Sequence, residues 1–232
     1  MFGFSIQEIF PHIYHLHFES AYDLAMHFLR FSEYYESPKY YKKIFTLVDF
    51  MEWYAQEHGE GSFSYANDWR GFNVPSWVLH QVRKADIPDL NKYDRHMFML
   101  IDWMEEREFP GNYYFIGTST EGCQKNTNDV LGHEVAHAFY AVDAKYRRKV
   151  NGLLTQWNEG LGHKGKELGN AREVLKGMGY HGTTIDDEVH AYCATGLCDD
   201  LQGVVSKQEM KPFQKLFQEF EKSHTPKQDE KE

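Results

Sequence analysis

The stretch Leu131-Gly132-His133-Glu134-Val135-Ala136-His137-Ala138 contains the pattern H-E-x-x-H, and it constrains the chain more than any other segment. On a helix, positions i and i+4 lie on one face, one turn apart. His133 and His137 would aim two imidazoles at one point, with Glu134 at the edge of that face. This geometry suits Zn²⁺ held by two neutral imidazoles beside a carboxylate that can take a proton from water. Val130, Leu131, Val135, Ala136, Ala138 and Phe139 are apolar or small, so the helix should be mostly buried. Two histidines and a glutamate inside a buried helix need a partner, which a metal supplies.

Upstream, Ile13–Phe18 alternates apolar and polar residues and reads as a short strand, with His15 and His17 on its polar face. Ser20 opens a helix that stops before Pro38. A second helical pattern runs from Tyr40 to His58 and ends at Gly59. Residues 59–75, with Trp69, Phe72, Gly61 and Gly71, read as an aromatic loop. A short helix follows from Ser76, and another spans 91–107 until Pro110-Gly111. Asn112–Thr118 is the best strand in the chain, being β-branched and aromatic. A loop over 119–126 joins it to the histidine helix, for which Asn126, Thr127 or Asn128 is a cap candidate.

Beyond Tyr140 a basic amphipathic helix reaches Trp157. Residues 158–170 carry Gly160, Gly162, Gly165 and Gly169 and read as a flexible surface connection, with a short helix at 170–178. Thr184, followed three later by Asp187, reads as a capping box that starts another helix. On that helix Glu188 shares a face with Ala191, Tyr192 and Thr195. The small Ala191 lets the helix approach a neighbour and extend a carboxylate toward a metal. Glu188 is therefore the first candidate for the third ligand, with Asp187 and His181 behind it. A final amphipathic helix carries Phe213, Leu216, Phe217 and Phe220, and a polar tail read as disordered follows Ser223.

His133-Glu134-x-x-His137, followed 51 residues later by Glu188, resembles the gluzincin arrangement of thermolysin-like zinc metallopeptidases. The resemblance covers residues 112–196. It implies His133, His137 and Glu188 on Zn²⁺, Glu134 as general base, and a zincin-like core with a small sheet packed on the H-E-x-x-H helix. It also implies that Tyr114, Ile116 and Gly117 belong to an edge strand that pairs with an extended peptide. The chain departs from the family pattern at Tyr192, where many gluzincins carry an acid that orients a zinc histidine. Tyr192 itself could fill that role through its hydroxyl. Gly182-Thr183-Thr184-Ile185-Asp186 is one residue too long for the aspartate-ligand alternative, and the G-x-M-E-N element of the aminopeptidases is absent.

The expected fold is α+β and predominantly helical. Residues 1–110 would form a helical region, separate from or part of the same domain, 111–222 the catalytic core, and 223–232 the tail. The expected function is zinc-dependent hydrolysis of peptide or protein substrates, as an endopeptidase. Tyr180 or His181, in the turn between Gly179 and Gly182, would donate to the oxyanion. His190, two residues from Glu188, should face away. The alternatives are an inactive zincin-like binding or regulatory protein and a hydrolase of a non-peptide amide. A net charge of −10 argues against nucleic acid as the main partner. No window reaches 18 apolar residues, and the N-terminus lacks a secretory pattern. A cytoplasmic monomer is the resulting expectation. Cys123, Cys193 and Cys198 read as reduced packing residues.

Overall fold

The computed structural model describes residues 3–106, 112–121, 127–160 and 163–224. Pro110, Gly111, Cys123, Asn126 and the tail after His224 lie outside the described residues, as do the side chains of Thr127 and Asn128. The chain runs β1 (Phe4–Phe10), β2 (Ile13–Phe18), α1 (Ala21–Glu36), α2 (Leu47–Glu57), α3 (Tyr65–Asp68), β3 (Gly71–Pro75), α4 (Ser76–Lys84) and α5 (Lys92–Glu106). It continues with β4 (Tyr114–Ser119), α6 (Thr127–Val142), α7 (Ala144–Asn158), α8 (His163–Gly177), α9 (Ile185–Thr195) and α10 (Lys207–His224). The class is α+β and mostly helical, as the sequence implied.

The four strands form one sheet in the order β1-β2-β4-β3. β1 and β2 make an antiparallel hairpin, β4 lies parallel to β2, and β3 lies antiparallel to β4. All residues of β4 are buried, because both of its edges carry ladders and both of its faces are covered. Tyr114 and Ile116 face α6 and join the core that α6 to α10 build, while Phe115 joins a second core with α1, α4 and α5. Three of the four strands come from residues 1–110 and lie in one sheet with β4. No described helix is long and apolar enough to cross a membrane.

Two segments differ from the sequence reading. Residues 71–75, read as loop, are β3. Gly71, Asn73 and Pro75 all weaken strand propensity, but an outer strand tolerates a terminal proline. Residues 163–170, read as flexible connection, belong to α8. Leu168, Ala171 and Leu175 make a fully buried stripe, and burying that stripe outweighs the glycines. A Cβ on Gly165 would stand 3.1 Å from the Asn158 carbonyl oxygen, so this glycine permits close approach of two helix ends. The helix expected over 40–58 is shorter and starts after Thr46, whose hydroxyl accepts from the Asp49 amide.

Arg30, on α1, is buried and paired with Asp94 at 3.0 Å and Asp89 at 3.1 Å. It ties α1 to α5 and to the chain before it. One turn along α1, Glu33 is buried, and among the described residues no basic side chain pairs with it. Burial pushes its pKa up to about 7, against partial relief from the Ser37 and Tyr65 hydroxyls. The folded chain thus keeps a proton that the unfolded chain releases from about pH 4.5 upward. Stability should fall as pH rises through that window to about 7 and stay lower above it. Glu33→Gln should flatten this loss and stabilise the protein at pH 8 by about 1–3 kcal/mol, with little effect at pH 4. Urea denaturation at the two pH values checks this, and equal effects at both would refute it.

Candidate metal centre

α6 is buried because Val135, Ala136, Ala138 and Phe139 pack into the core beneath the sheet. That packing turns His133 and His137 toward α9, where the fully buried Ala191 allows close contact. The two imidazole Nε2 atoms stand 3.2 Å apart. Glu188, 2% exposed, reaches between them. Its Oε1 is 3.5 Å from His137 Nε2, and its Oε2 is 3.7 Å from His133 Nε2.

Among the described residues these three form the one group of histidine, cysteine or acid side chains whose ligand atoms converge, all within 4.8 Å. Tetrahedral zinc with bonds of about 2.1 Å has ligand–ligand edges of about 3.4 Å, close to the separations observed. Glu188 Oε2 is sealed from solvent and, among the described residues, makes no hydrogen bond, its ion-pair contact being His133 Nε2 at 3.7 Å. A buried carboxylate oxygen left unsatisfied in this way is costly unless a cation meets it. The donor set and the orphaned oxygen therefore fit zinc.

His133 and His137 are each contacted from behind. His137 Nδ1 lies 3.0 Å from Asp187 Oδ2, and Asp187 Oδ1 lies 3.2 Å from His190 Nδ1. His190 Nε2 is 2.9 Å from the Tyr146 hydroxyl. A carboxylate on the far nitrogen of a ligand imidazole fixes its tautomer and raises its basicity. The His133 ring packs on Tyr192 with centroids 4.5 Å apart, and its Nδ1 is 3.5 Å from the Thr195 hydroxyl oxygen.

The electrostatics call for positive charge. Burial alone would lower the His137 pKa, but Asp187 and Glu188 hold it well above the ordinary value. Burial would raise both carboxylates, but His137 holds each of them below it. Glu36, at the end of α1, is pushed well above the carboxylate range, first by burial and then by the Glu188 charge.

Glu134, 6% exposed, is held separately from the ligands. Its Oε2 accepts from Asn73 Nδ2 at 2.6 Å, and Asn73 Oδ1 accepts from the Tyr114 hydroxyl at 2.5 Å. Gly71 is required here, since a Cβ would lie 2.5 Å from Glu134 Oε1 and 2.6 Å from Val130 Cγ1. β3 thus forms the floor beneath the candidate base.

Several expectations need correction. β4 is an interior strand, so Tyr114, Ile116 and Gly117 offer no free edge to a peptide. Gly117 faces Leu24 and Phe28, at 2.5 Å from where a Cβ would sit. The outer strand beside α6 is β3. The Thr184 side chain makes no cap bond to the helix; Asp187 is instead paired with His137 and lies outside the converging group. It also fills the supporting role considered for Tyr192. His181 is not drawn into the cluster: its ring stacks on Tyr41 at 3.9 Å, and its Nδ1 meets the Thr183 hydroxyl at 2.8 Å.

Tyr180 stays in the neighbourhood. Its hydroxyl is 3.2 Å from that of Tyr192, and its pKa is raised well above normal by burial and by the Glu188 charge. His15 and His17 bond the Thr118 hydroxyl and lie outside the converging group. Burial pushes the Cys193 thiol up to about 12, as suits a packing residue. Asn73, Gly71 and Glu36 were not singled out from sequence. No short motif marks them, since they reach α6 from a strand and a helix distant in the chain.

No family model, no curated protein and no solved structure matches this chain.

Glu188→Ala should abolish stoichiometric zinc binding. Asp187→Asn should keep one zinc per chain at an affinity lowered about 10- to 100-fold. Competition titration against a chromophoric chelator reads both. Unchanged affinity in either variant would contradict the arrangement.

Proposed function

We propose that the protein is a zinc-dependent peptide hydrolase in which Glu134 is the general base. The observation that carries this reading is the division of labour around α6. His133, His137 and Glu188 converge on one point, while Glu134, one residue from a ligand, is kept out of that group by Asn73 and Gly71. A carboxylate that served only charge balance would not need a dedicated amide and a glycine floor.

When bound, zinc would supply a Lewis-acidic centre that lowers the pKa of water toward neutrality. Glu134 takes the proton from the attacking water and returns it to the leaving nitrogen. Asn73 fixes one carboxylate oxygen and leaves the other for the proton. The Tyr180 hydroxyl is the proposed donor to the carbonyl oxygen as negative charge builds there. An extended substrate would lie along β3, the outer strand next to Glu134, since main-chain pairing with an outer strand is a general mode of peptide capture.

Glu134→Gln should keep one zinc per chain and reduce cleavage of a mixed peptide library about 10²- to 10⁴-fold. Mass spectrometry of the digest, with metal analysis of the same sample, tests this. A variant that stays active, or that loses its zinc, would refute the assignment of the base.

A further inference from the structure

A pocket of about 300 Å³ opens where β3 passes into α4. Tyr114 and Pro75 belong to its sheet side, Tyr140 to the end of α6, and Tyr35 and Trp77 form an aromatic wall with ring centroids 5.7 Å apart. Among the described residues Arg147, on α7, is the one charged residue lining it. Its Nη1 donates to the carbonyl oxygens of Tyr140 and Ala141, each at 2.8 Å, which anchors the guanidinium to the end of α6. Among the described residues no carboxylate pairs with Arg147, and none accepts from its Nε or Nη2. An arginine that no described carboxylate pairs is notable in a chain of net charge −10. A guanidinium fixed by one nitrogen still presents a two-donor fork that matches a carboxylate.

The pocket also adjoins the chemistry. Asn73, which holds Glu134, and Pro75, which lines the pocket, lie two residues apart on one face of β3, about 7 Å along the strand. Tyr114 serves both places, with its hydroxyl on Asn73 and its side chain in the pocket lining. A substrate lying along β3 would reach the pocket one or two residues beyond the bond under attack. The volume suits one large residue and not a longer segment.

We infer that this pocket receives the C-terminal residue of a peptide, its side chain against the aromatic wall and its α-carboxylate on Arg147. The inference rests on the hydrolase reading for the identity of the ligand as substrate, and it makes the enzyme one that works near free C-termini.

The test is binding of N-acetylphenylalanine and of its C-terminal amide to the full chain by calorimetry, which requires no turnover. The acid should bind about 10- to 100-fold more tightly than the amide. Arg147→Gln should erase that difference by weakening the acid alone. Because Arg147 also caps α6, Trp77→Ala provides a second variant. Trp77 is 40% exposed, so the fold should tolerate its loss, and the acid and the amide should weaken together. Equal binding of acid and amide, no binding of either, or a preference that survives Arg147→Gln would each overturn the inference. Peptide cleavage that ignores C-terminal amidation would remove the pocket's role and leave the hydrolase standing. Acid preference without any cleavage would leave the carboxylate site and remove the hydrolase.

Discussion

The Glu188 carboxylate is buried against two imidazoles on a neighbouring helix, and much of the structure is arranged around that contact. Placing a carboxylate where water cannot reach it costs several kcal/mol unless positive charge and hydrogen bonds compensate. Asp187 adds a second buried acid on the same helix, and Glu134 and Glu36 bring two more toward it. Histidine protons can supply part of the needed charge, as the direction of the His137 shift indicates. A divalent cation supplies it more completely and also satisfies the oxygen that the protein leaves unbonded.

The sheet explains how such a cluster is held. α6 lies across β3 and β4, and α9 lies on its other side. Glu134 is therefore positioned by strand residues, whereas His133 and His137 are positioned by α9. The two roles are supported by different elements. An imprecise fit on one side need not disturb the other, and this separation is what a base beside a metal requires.

The legibility of the site in the sequence follows the range of the interactions. His133, Glu134 and His137 are local, since helical periodicity alone brings them together. Glu188 was legible because an acid on a face with Ala191 implies close helix contact. Asp187 was read as a cap partner for Thr184, because a capping box and an orienting carboxylate look alike in sequence. Asn73 was hidden because Gly-Phe-Asn-Val-Pro lacks strand propensity and becomes a strand only against β4. The resemblance placed the edge role on Asn112–Thr118, which also has the strongest strand signal. A strong signal of that kind marks an interior strand, buried on both faces, and the outer strand was the weak one. Gly165 and Gly169 misled in the same way, since burial of Leu168, Ala171 and Leu175 outweighs local propensity.

The most direct measurement of the centre is zinc K-edge X-ray absorption on the reconstituted full chain. The expected spectrum has nitrogen and oxygen neighbours at about 2.0–2.2 Å, multiple scattering from two imidazoles, and no sulfur. A sulfur shell at about 2.3 Å, or a spectrum without imidazole scattering, would place the metal elsewhere and contradict a site built from His133, His137 and Glu188.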